Sequence, residues 1–328
     1  MKTRILGTGS CVPAQVITND DLSEWLDTSD EWIRKRTGIR QRRVVEEEST
    51  ADLAVVAAER ALENAACRAD EIDVIIVATS SGDYIFPNTA SLVATRINAD
   101  KAACFDISVA CTGFIYGMQI ADAYLSSGMY QKILVIGSEV MSRELDWNDR
   151  SVCILFGDGA GAVVVGTGDT GILAIDLHSD GSRAMALTNG GRVTAKQEMA
   201  GQKLSDRTTK RYVDYIQMEG QEVFRFAVKQ VPESIEEVLR KAGCTKDDIQ
   251  YYLLHQANQR IIEMVARKLD QSMDKFPMNL DRYGNTSAAS IPILLDERNS
   301  NHQLNRGDRI VLSGFGAGLS WGSIVLDW

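Results

Sequence analysis

The chain has 328 residues, 45% hydrophobic and 24% charged, with a formal net charge of −10. That composition suits a globular protein with length enough for two fused core units, and its acidic balance argues against non-specific binding of nucleic acid or an anionic membrane. Six scattered cysteines without a Cys-x-x-Cys pair, and three histidines far apart at 178, 255 and 302, exclude a disulfide framework and a structural zinc site as expectations.

Taken in chain order, the segment Met1 to Gly7 lacks the apolar core of a signal peptide. No later run approaches the roughly 20 apolar residues of a membrane span. A reduced, cytoplasmic protein is expected. Trp32 is followed by a basic stretch, Arg34-Lys35-Arg36 to Arg40-Gln41-Arg42-Arg43, with Glu46-Glu47-Glu48 close by. Basic side chains beside an aromatic suit a phosphorylated ligand with a stacking base; a solvated charged face is the plainer alternative. Ala51 to Ala66 reads as an Ala/Leu/Val-rich helix and Asp73 to Thr79 as a buried strand. The run from Ala103 opens as a short buried strand. From Thr112 the period changes, with Phe114, Ile115, Met118, Ala121, Tyr124 and Leu125 at helical spacing and Gly128 closing the helix. Lys132 to Gly137 and Ala162 to Val165 are further strands. Strand and helix alternate throughout, which predicts an α/β fold with helix-covered sheets.

The polar segment Gly181 to Tyr215 reads as an inserted loop. Tyr251 to Leu254 is a strand ending at His255, and Asn258 caps a helix over Gln259 to Leu269. Gly284-Asn285 signals a turn ahead of a helix carrying Pro292 in its early turns. Gly157 to Gly161 and Gly314 to Gly322 lack the Lys-Ser/Thr of a P-loop and precede strands rather than helices. They read as tight turns between strands, as sites of close packing, or as sources of backbone N–H groups aimed at an oxyanion. The order of elements repeats. Ile133 to Ser138 echoes Arg309 to Gly314, Phe156 to Val164 echoes Phe315 to Val325, and Asp73 to Ser80 echoes Gln250 to Ala257. The echoes predict two duplicated halves, residues 1–170 and 171–328, the first carrying Cys111 and the second His255 and Asn285.

Cys111 lies at the strand-to-helix junction. Unpaired N–H groups and the helix dipole there favour a thiolate; an inert buried cysteine is the competing reading. His255 stands at the carboxyl end of a strand, where α/β folds place ligand chemistry, or is a core histidine bonded to backbone. Asn285 by itself reads as a turn residue.

Together these residues resemble the β-ketoacyl-acyl carrier protein synthase III family of thiolase-fold condensing enzymes. The matching stretches are Gly7-Thr8-Gly9-Ser10 with Val12-Pro13, Thr28 to Ile33, Arg36 to Ile39, Asp106 to Gly113, Phe156 to Ala162, Leu254 to Asn258, Tyr283 to Ala288 and Gly314 to Gly322. The resemblance implies a five-layered α-β-α-β-α fold and a homodimer. It implies Cys111 as acyl-accepting nucleophile, His255 and Asn285 as its partners, and the N–H groups of Cys111 and Ala317 as the oxyanion hole. Ala317 departs from the family's usual glycine. Coenzyme A contacts fall on Thr28, Trp32, Arg36, Arg150 and Asn258, and the acyl pocket on Phe86, reaching across the dimer, and Phe315. The acyl carrier protein is expected on Gln256, Ala257, Asn258, Gln259, Arg260, Arg267 and Lys268, with Arg225 and Lys229 extending the patch.

The implied substrates are acyl-coenzyme A, whose acyl length the sequence leaves open, and malonyl-acyl carrier protein, with no metal or redox cofactor. A cysteine hydrolase, a non-catalytic binding protein of the same fold and a thiolase-fold acyltransferase of secondary metabolism are the alternatives.

Overall fold

The computed structural model describes residues 1–190 and 215–328. In chain order the first half forms β1 (Lys2–Cys11), β2 (Val16–Thr18), α1 (Asn19–Ser23), α2 (Asp30–Thr37), β3 (Gln41–Arg43), α3 (Thr50–Asn64), β4 (Val74–Ala78), α4 (Thr89–Ile97), β5 (Ala103–Ile107), α5 (Gly113–Ser126), β6 (Lys132–Glu139) and β7 (Gly159–Gly168). The remainder forms β8 (Ile172–Ser179), β9 (Leu187–Asn189), β10 (Ile216–Met218), α6 (Gly220–Ala242), β11 (Tyr251–Leu254), α7 (Gln259–Leu269), α8 (Leu280–Tyr283), α9 (Ser290–Ser300), β12 (Arg309–Gly316) and β13 (Ser320–Asp327).

Two sheets organise the molecule. The first has strand order β1-β7-β6-β4-β5 and the second β11-β12-β13-β8. In the first, β4 runs parallel to β5 and β6, and β7 runs antiparallel to both β6 and β1. The second repeats this order and these directions with β8, β13, β12 and β11 in place of β1, β7, β6 and β4.

The helices separate into three layers because their apolar faces differ. One face of α3 and α4 (Leu53, Ala57, Val93) packs on Ile75, Val77 and Leu134 of the first sheet. One face of α6 and α7 (Phe226, Ile235, Ile262) packs on Tyr252, Val311 and Val325 of the second. Helix α5 carries apolar residues over a wide arc, and it lies with α9 between the sheets, touching Val135 and Val163 on one side and Leu312 and Ile324 on the other. The result is the α-β-α-β-α order that the resemblance implies. Among the described residues no helix is long and apolar enough to cross a membrane.

Three expectations need correction. The strand at Ala103 is half-buried rather than buried, because β5 is the edge of its sheet and pairs with β4 alone. The glycines of the two Gly-rich runs lie mostly inside strands: Gly159 and Gly161 in β7, Gly314 and Gly316 in β12, Gly322 in β13. What they supply is close approach, since a Cβ on Gly161 would sit 2.7 Å from the backbone of α9. Of the polar segment Gly181 to Tyr215, the first residues form a short 3-10 turn and β9, which pairs with β10; residues 191–214 lie outside the described residues.

Candidate active site

Cys111 sits in a 3-10 turn, Ala110–Thr112, directly ahead of α5. Ala110 holds φ at +45°, a strained value for a residue with a side chain. The turn is clamped from the second sheet. A Cβ on Gly316 would lie 2.8 Å from Cys111 N, so only glycine admits this approach. The Thr112 hydroxyl meets that of Ser320 at 2.8 Å, and Ser320 donates to Ala317 O at 3.0 Å. The Ala317 turn is thereby held against Cys111, and Ala317 is not among the positive-φ residues, so its methyl costs nothing there.

The thiol contradicts its expected tilt toward thiolate. Burial pushes the Cys111 pKa up to about 12; the nearby Glu139 adds to this, while the hydroxyl of Ser287 opposes it. A helix start contributes only about 0.3–1 kcal/mol toward charge at such a point, whereas complete desolvation shifts a group by several pH units.

Asn285 is fixed by a bridge to Phe156. Its N–H donates to Leu155 O at 2.8 Å, and Gly157 N–H donates to its carbonyl at 3.1 Å. Its Oδ1 accepts from Ser287 N at 2.9 Å, which orients the amide and leaves Nδ2 without a protein acceptor among the described residues. Ser287, at φ +49°, brings its Oγ 3.4 Å from Cys111 Sγ. Beneath this loop lies Arg42, fully buried and bonded to Asn19 Oδ1, Ile17 O and Ile154 O. Burial lowers its pKa to about 10. It is thus neither a ligand residue nor part of a solvated face; it supports the Ile154–Gly157 segment on which Asn285 rests.

His255 continues β11, its N–H donating to Ser313 O at 2.8 Å. Its ring stands edge-on to Phe315, 5.2 Å between centroids. Gly314 and Gly316, which flank Phe315, both approach Cys111, so β12 is the strand that borders both the thiol and the His255 ring. Burial lowers the His255 pKa to about 3, so the ring is neutral at physiological pH. Nδ1 lies 2.6 Å from Ser290 Oγ, which accepts from Gln256 N at 3.5 Å. With Ser290 donating to Nδ1, the neutral ring carries its own proton on Nε2, which is the tautomer an Nε2 donor requires.

At the surface, Trp32 on α2 lies under two guanidinium groups, Arg36 at 4.6 Å and Arg150 at 5.2 Å from the ring centroid. Arg150 also contacts Asp27. Thr28 Oγ1 is buried with no hydrogen-bond partner among the described residues, an unmet capacity that a ligand group or a water molecule can fill. Asn258 Nδ2 donates to Arg36 O at 3.1 Å and its Oδ1 caps Arg260 N at 2.9 Å, tying α2 to α7. A surface cleft of about 720 Å³ beside α2, lined by Glu31, Arg34, Lys35 and Gln259 among others, includes none of the catalytic candidates. Phe86 is 84% exposed beside exposed Tyr84 and Ile85.

The basic residues Arg225, Lys229, Arg260, Arg267 and Lys268 are all exposed. Arg260 lies 5.9 Å above the ring of Phe224 on α6, which makes the α6 and α7 charges neighbours. Ala257 and Gln259 are half-buried at this edge. Gln256 does not belong to such a surface. It is buried, and its amide is consumed by Leu254 O at 2.8 Å and Asn279 N at 3.0 Å.

The structure adds three polar residues that sequence reasoning passed over: Ser287, Ser290 and Glu139. Two of them stand in the Asn285 run. Glu139, a carboxylate closing the strand that holds the apolar run Ile133 to Ile136, carried a signal of its own.

Residues 105–181 match the family described as 3-oxoacyl-[acyl-carrier-protein (ACP)] synthase III, and residues 239–328 match its C-terminal part. The chain is 47% identical over 330 residues to the beta-ketoacyl-[acyl-carrier-protein] synthase III of Clostridium acetobutylicum, covering 99% of this chain and 98% of that protein. Among solved structures, the 3-oxoacyl-[acyl-carrier-protein] synthase III of Aquifex aeolicus VF5 superimposes with a TM-score of 0.92 at 42% identity, over 99% of this chain and all of the other. The priming beta-ketosynthase of the R1128 polyketide biosynthetic pathway does so at 0.90 and 35% identity, over 99% and 96%.

Proposed function

The chain belongs to the 3-oxoacyl-[acyl-carrier-protein] synthase III family, and from that premise we propose that it starts type II fatty acid synthesis by joining a short acyl group to malonyl-acyl carrier protein. The observation that supports it most is the run of contacts that links Asn285 through Ser287 to Cys111, with His255 buried at the end of the strand beside β12, which closes on Cys111.

Cys111 Sγ attacks the thioester carbon of acyl-coenzyme A. The oxyanion is met by the N–H groups of Cys111 and Ala317, each donor worth about 3–4 kcal/mol in the transition state. Coenzyme A departs and the acyl group stays on sulfur. Malonyl-acyl carrier protein then binds and loses carbon dioxide. The enolate oxygen receives hydrogen bonds from His255 Nε2 and Asn285 Nδ2, both neutral donors that keep their protons. The carbanion attacks the acyl-enzyme and releases 3-oxoacyl-acyl carrier protein. The chemistry calls for no metal or redox cofactor.

Trp32 with Arg150 would flank the adenine, Thr28 Oγ1 would gain its missing partner there, and Arg36 would meet the phosphates. Asn258 holds Arg36 in place. The free edge of β5 and the exposed Tyr84-Ile85-Phe86 face support a homodimer in which Phe86 closes the partner's acyl pocket, opposite Phe315. The polar surface and free cysteines suit the cytoplasm.

Incubation with acetyl-coenzyme A and malonyl-acyl carrier protein should release carbon dioxide and yield a 3-oxoacyl product. Thioester hydrolysis without carbon dioxide would point instead to a hydrolase. The likeness to a polyketide priming enzyme makes a different acceptor the second reading; product formation only with a carrier protein of a secondary pathway would favour it.

The docking surface makes a separate prediction. Acyl carrier proteins are acidic and so is this chain, so local positive charge must overcome the long-range repulsion. Arg260→Glu should raise KM for malonyl-acyl carrier protein by about tenfold at low salt, with the effect shrinking as salt screens it. Acylation by acyl-coenzyme A should hardly change. Equal damage to both half-reactions would mean a folding defect and remove Arg260 from the docking surface.

A further inference from the structure

Behind Cys111 the structure continues the polar chain inward. Cys111 Sγ donates to Ser287 Oγ at 3.4 Å, and Ser287 Oγ donates to Glu139 Oε1 at 2.9 Å. Glu139 is fully buried at the end of β6 and, among the described residues, pairs with no lysine or arginine. Its other oxygen, Oε2, accepts from Ser80 N at 3.0 Å, Ser81 N at 3.1 Å and Ser81 Oγ at 2.5 Å. Ser81 Oγ accepts in turn from Val140 N, so its own proton must point to the carboxylate. Oε2 is thus surrounded by donors and Oε1 faces the Ser287 hydroxyl, partners that favour the carboxylate form against the burial that disfavours it. The tie between β6 and the Ser80–Ser81 loop uses Oε2 alone. Oε1 is given entirely to Ser287.

We propose that Ser287 and Glu139 form a proton relay that takes up the Cys111 thiol proton during acylation and returns it after condensation. The proposal rests on Cys111 being the nucleophile. As Sγ forms its bond to the thioester carbon, the S–H proton passes to Ser287 Oγ while the serine proton passes to Glu139 Oε1. The tetrahedral adduct collapses, the bond to the coenzyme A sulfur breaks, and that thiolate leaves with the electron pair and takes a proton from water. Glu139 remains a neutral acid beneath the acyl-enzyme. When the carbanion displaces Sγ, the thiolate recovers a proton from Ser287, which is refilled from Glu139.

Ser287 touches the reacting atom and is the catalytic residue of the pair. Glu139 acts through it, orienting the hydroxyl and holding the proton. Burial raises the pKa of Glu139, as suits a carboxylate that must accept a proton from a weak acid. It is also the ionisable group whose charge acts on the Cys111 thiol, His255 on the other side being neutral.

The test is the rate of alkylation of Cys111 by iodoacetamide as a function of pH, with the adduct mapped by mass spectrometry. No acyl substrate is involved. Ser287→Ala keeps the backbone N–H that holds Asn285, so it is the main variant; Glu139→Gln is the second. Both should slow alkylation and acylation at neutral pH by roughly 10- to 100-fold; Ser287→Ala, which removes the hydroxyl that favours the thiolate, should also move the alkylation profile to higher pH, whereas Glu139→Gln, which removes a negative charge that disfavours the thiolate, should not. An unchanged rate and profile in Ser287→Ala would overturn the relay. So would faster alkylation with the profile of an ordinary exposed thiol, because Ser287 would then merely close the site. Peptide mapping after acetyl-coenzyme A treatment separates this from the nucleophile assignment: an acyl group on another residue refutes that assignment, whereas an acyl group on Cys111 with an unshifted Ser287→Ala profile refutes only the relay.

Discussion

Cys111→Ala should lose acyl transfer from acyl-coenzyme A almost completely, by a factor on the order of 10⁶, as expected when a covalent nucleophile is removed. No other cysteine shares its setting. Cys153 is also buried, with its pKa raised to about 11, but it donates toward Trp147 O in a separate core cluster. Cys104 lies on the half-exposed edge strand β5. The variant should fold, since alanine fills most of the space of the thiol and the clamp from Gly316 and Ser320 acts on backbone and on Thr112. It should still decarboxylate malonyl-acyl carrier protein, because the enolate donors belong to His255 and Asn285. Peptide mapping of the wild-type adduct checks the assignment directly. A label on Cys104 or Cys153 with Cys111 free would refute it.

Asn285→Ala should have the complementary effect. Acylation of Cys111 should survive, while decarboxylation and condensation should fall by about 10²–10³, the loss expected for one donor to a developing oxyanion. His255→Ala should behave alike. Acylation lost with decarboxylation intact, in either variant, would mean that the two half-reactions are wrongly divided. The histidine also makes a pH statement. Its pKa is about 3 in the folded protein against about 6.5 when unfolded, so between these values the unfolded chain binds the extra proton. Stability contributed by this group is complete above the unfolded value and declines as pH falls through 6.5 toward 3. Decarboxylation itself should show no limb from His255 between about pH 5 and 8, since the ring is neutral throughout. A rate rising as an imidazolium forms near its ordinary pKa would contradict the neutral-donor role.

How much of this was legible beforehand depends on the range of the interaction. The strand Tyr251–Leu254 and the helix Gln259–Leu269 with its Asn258 cap follow from local periodicity and capping, and the structure has them at the same residues. The helix after Cys111 follows from a change of period, and its broad apolar surface finds its reason in the two sheets that enclose it. The recurring order of apolar runs reappears as two sheets with the same strand order and directions. The candidate triad was nameable only through the family resemblance; the short-range signals by themselves mark Cys111, His255 and Asn285 as lying at element boundaries.

Other properties had no local signal. The burial of Cys111, which reverses the expected tilt toward thiolate, arises from β12, β13 and the Asn285 loop folding over a helix start that by itself favours charge. Arg42 reads as one of several basic residues, yet its hydrogen-bond partners from two distant segments hold it in the core. Gln256 lies in a surface-like motif but turns inward to bond Leu254 and Asn279. The chain by itself determined the elements, their order and the chemical types at the site, because helix and strand periods and caps act over a few residues. The protonation of Cys111 and His255, the inward role of Arg42 and Gln256, and the link from Cys111 to Glu139 were decided only by tertiary packing, because desolvation and hydrogen-bond partnership depend on residues far apart in the chain, such as Cys111 and Ser287 at a separation of 176 positions, that meet only when the fold closes.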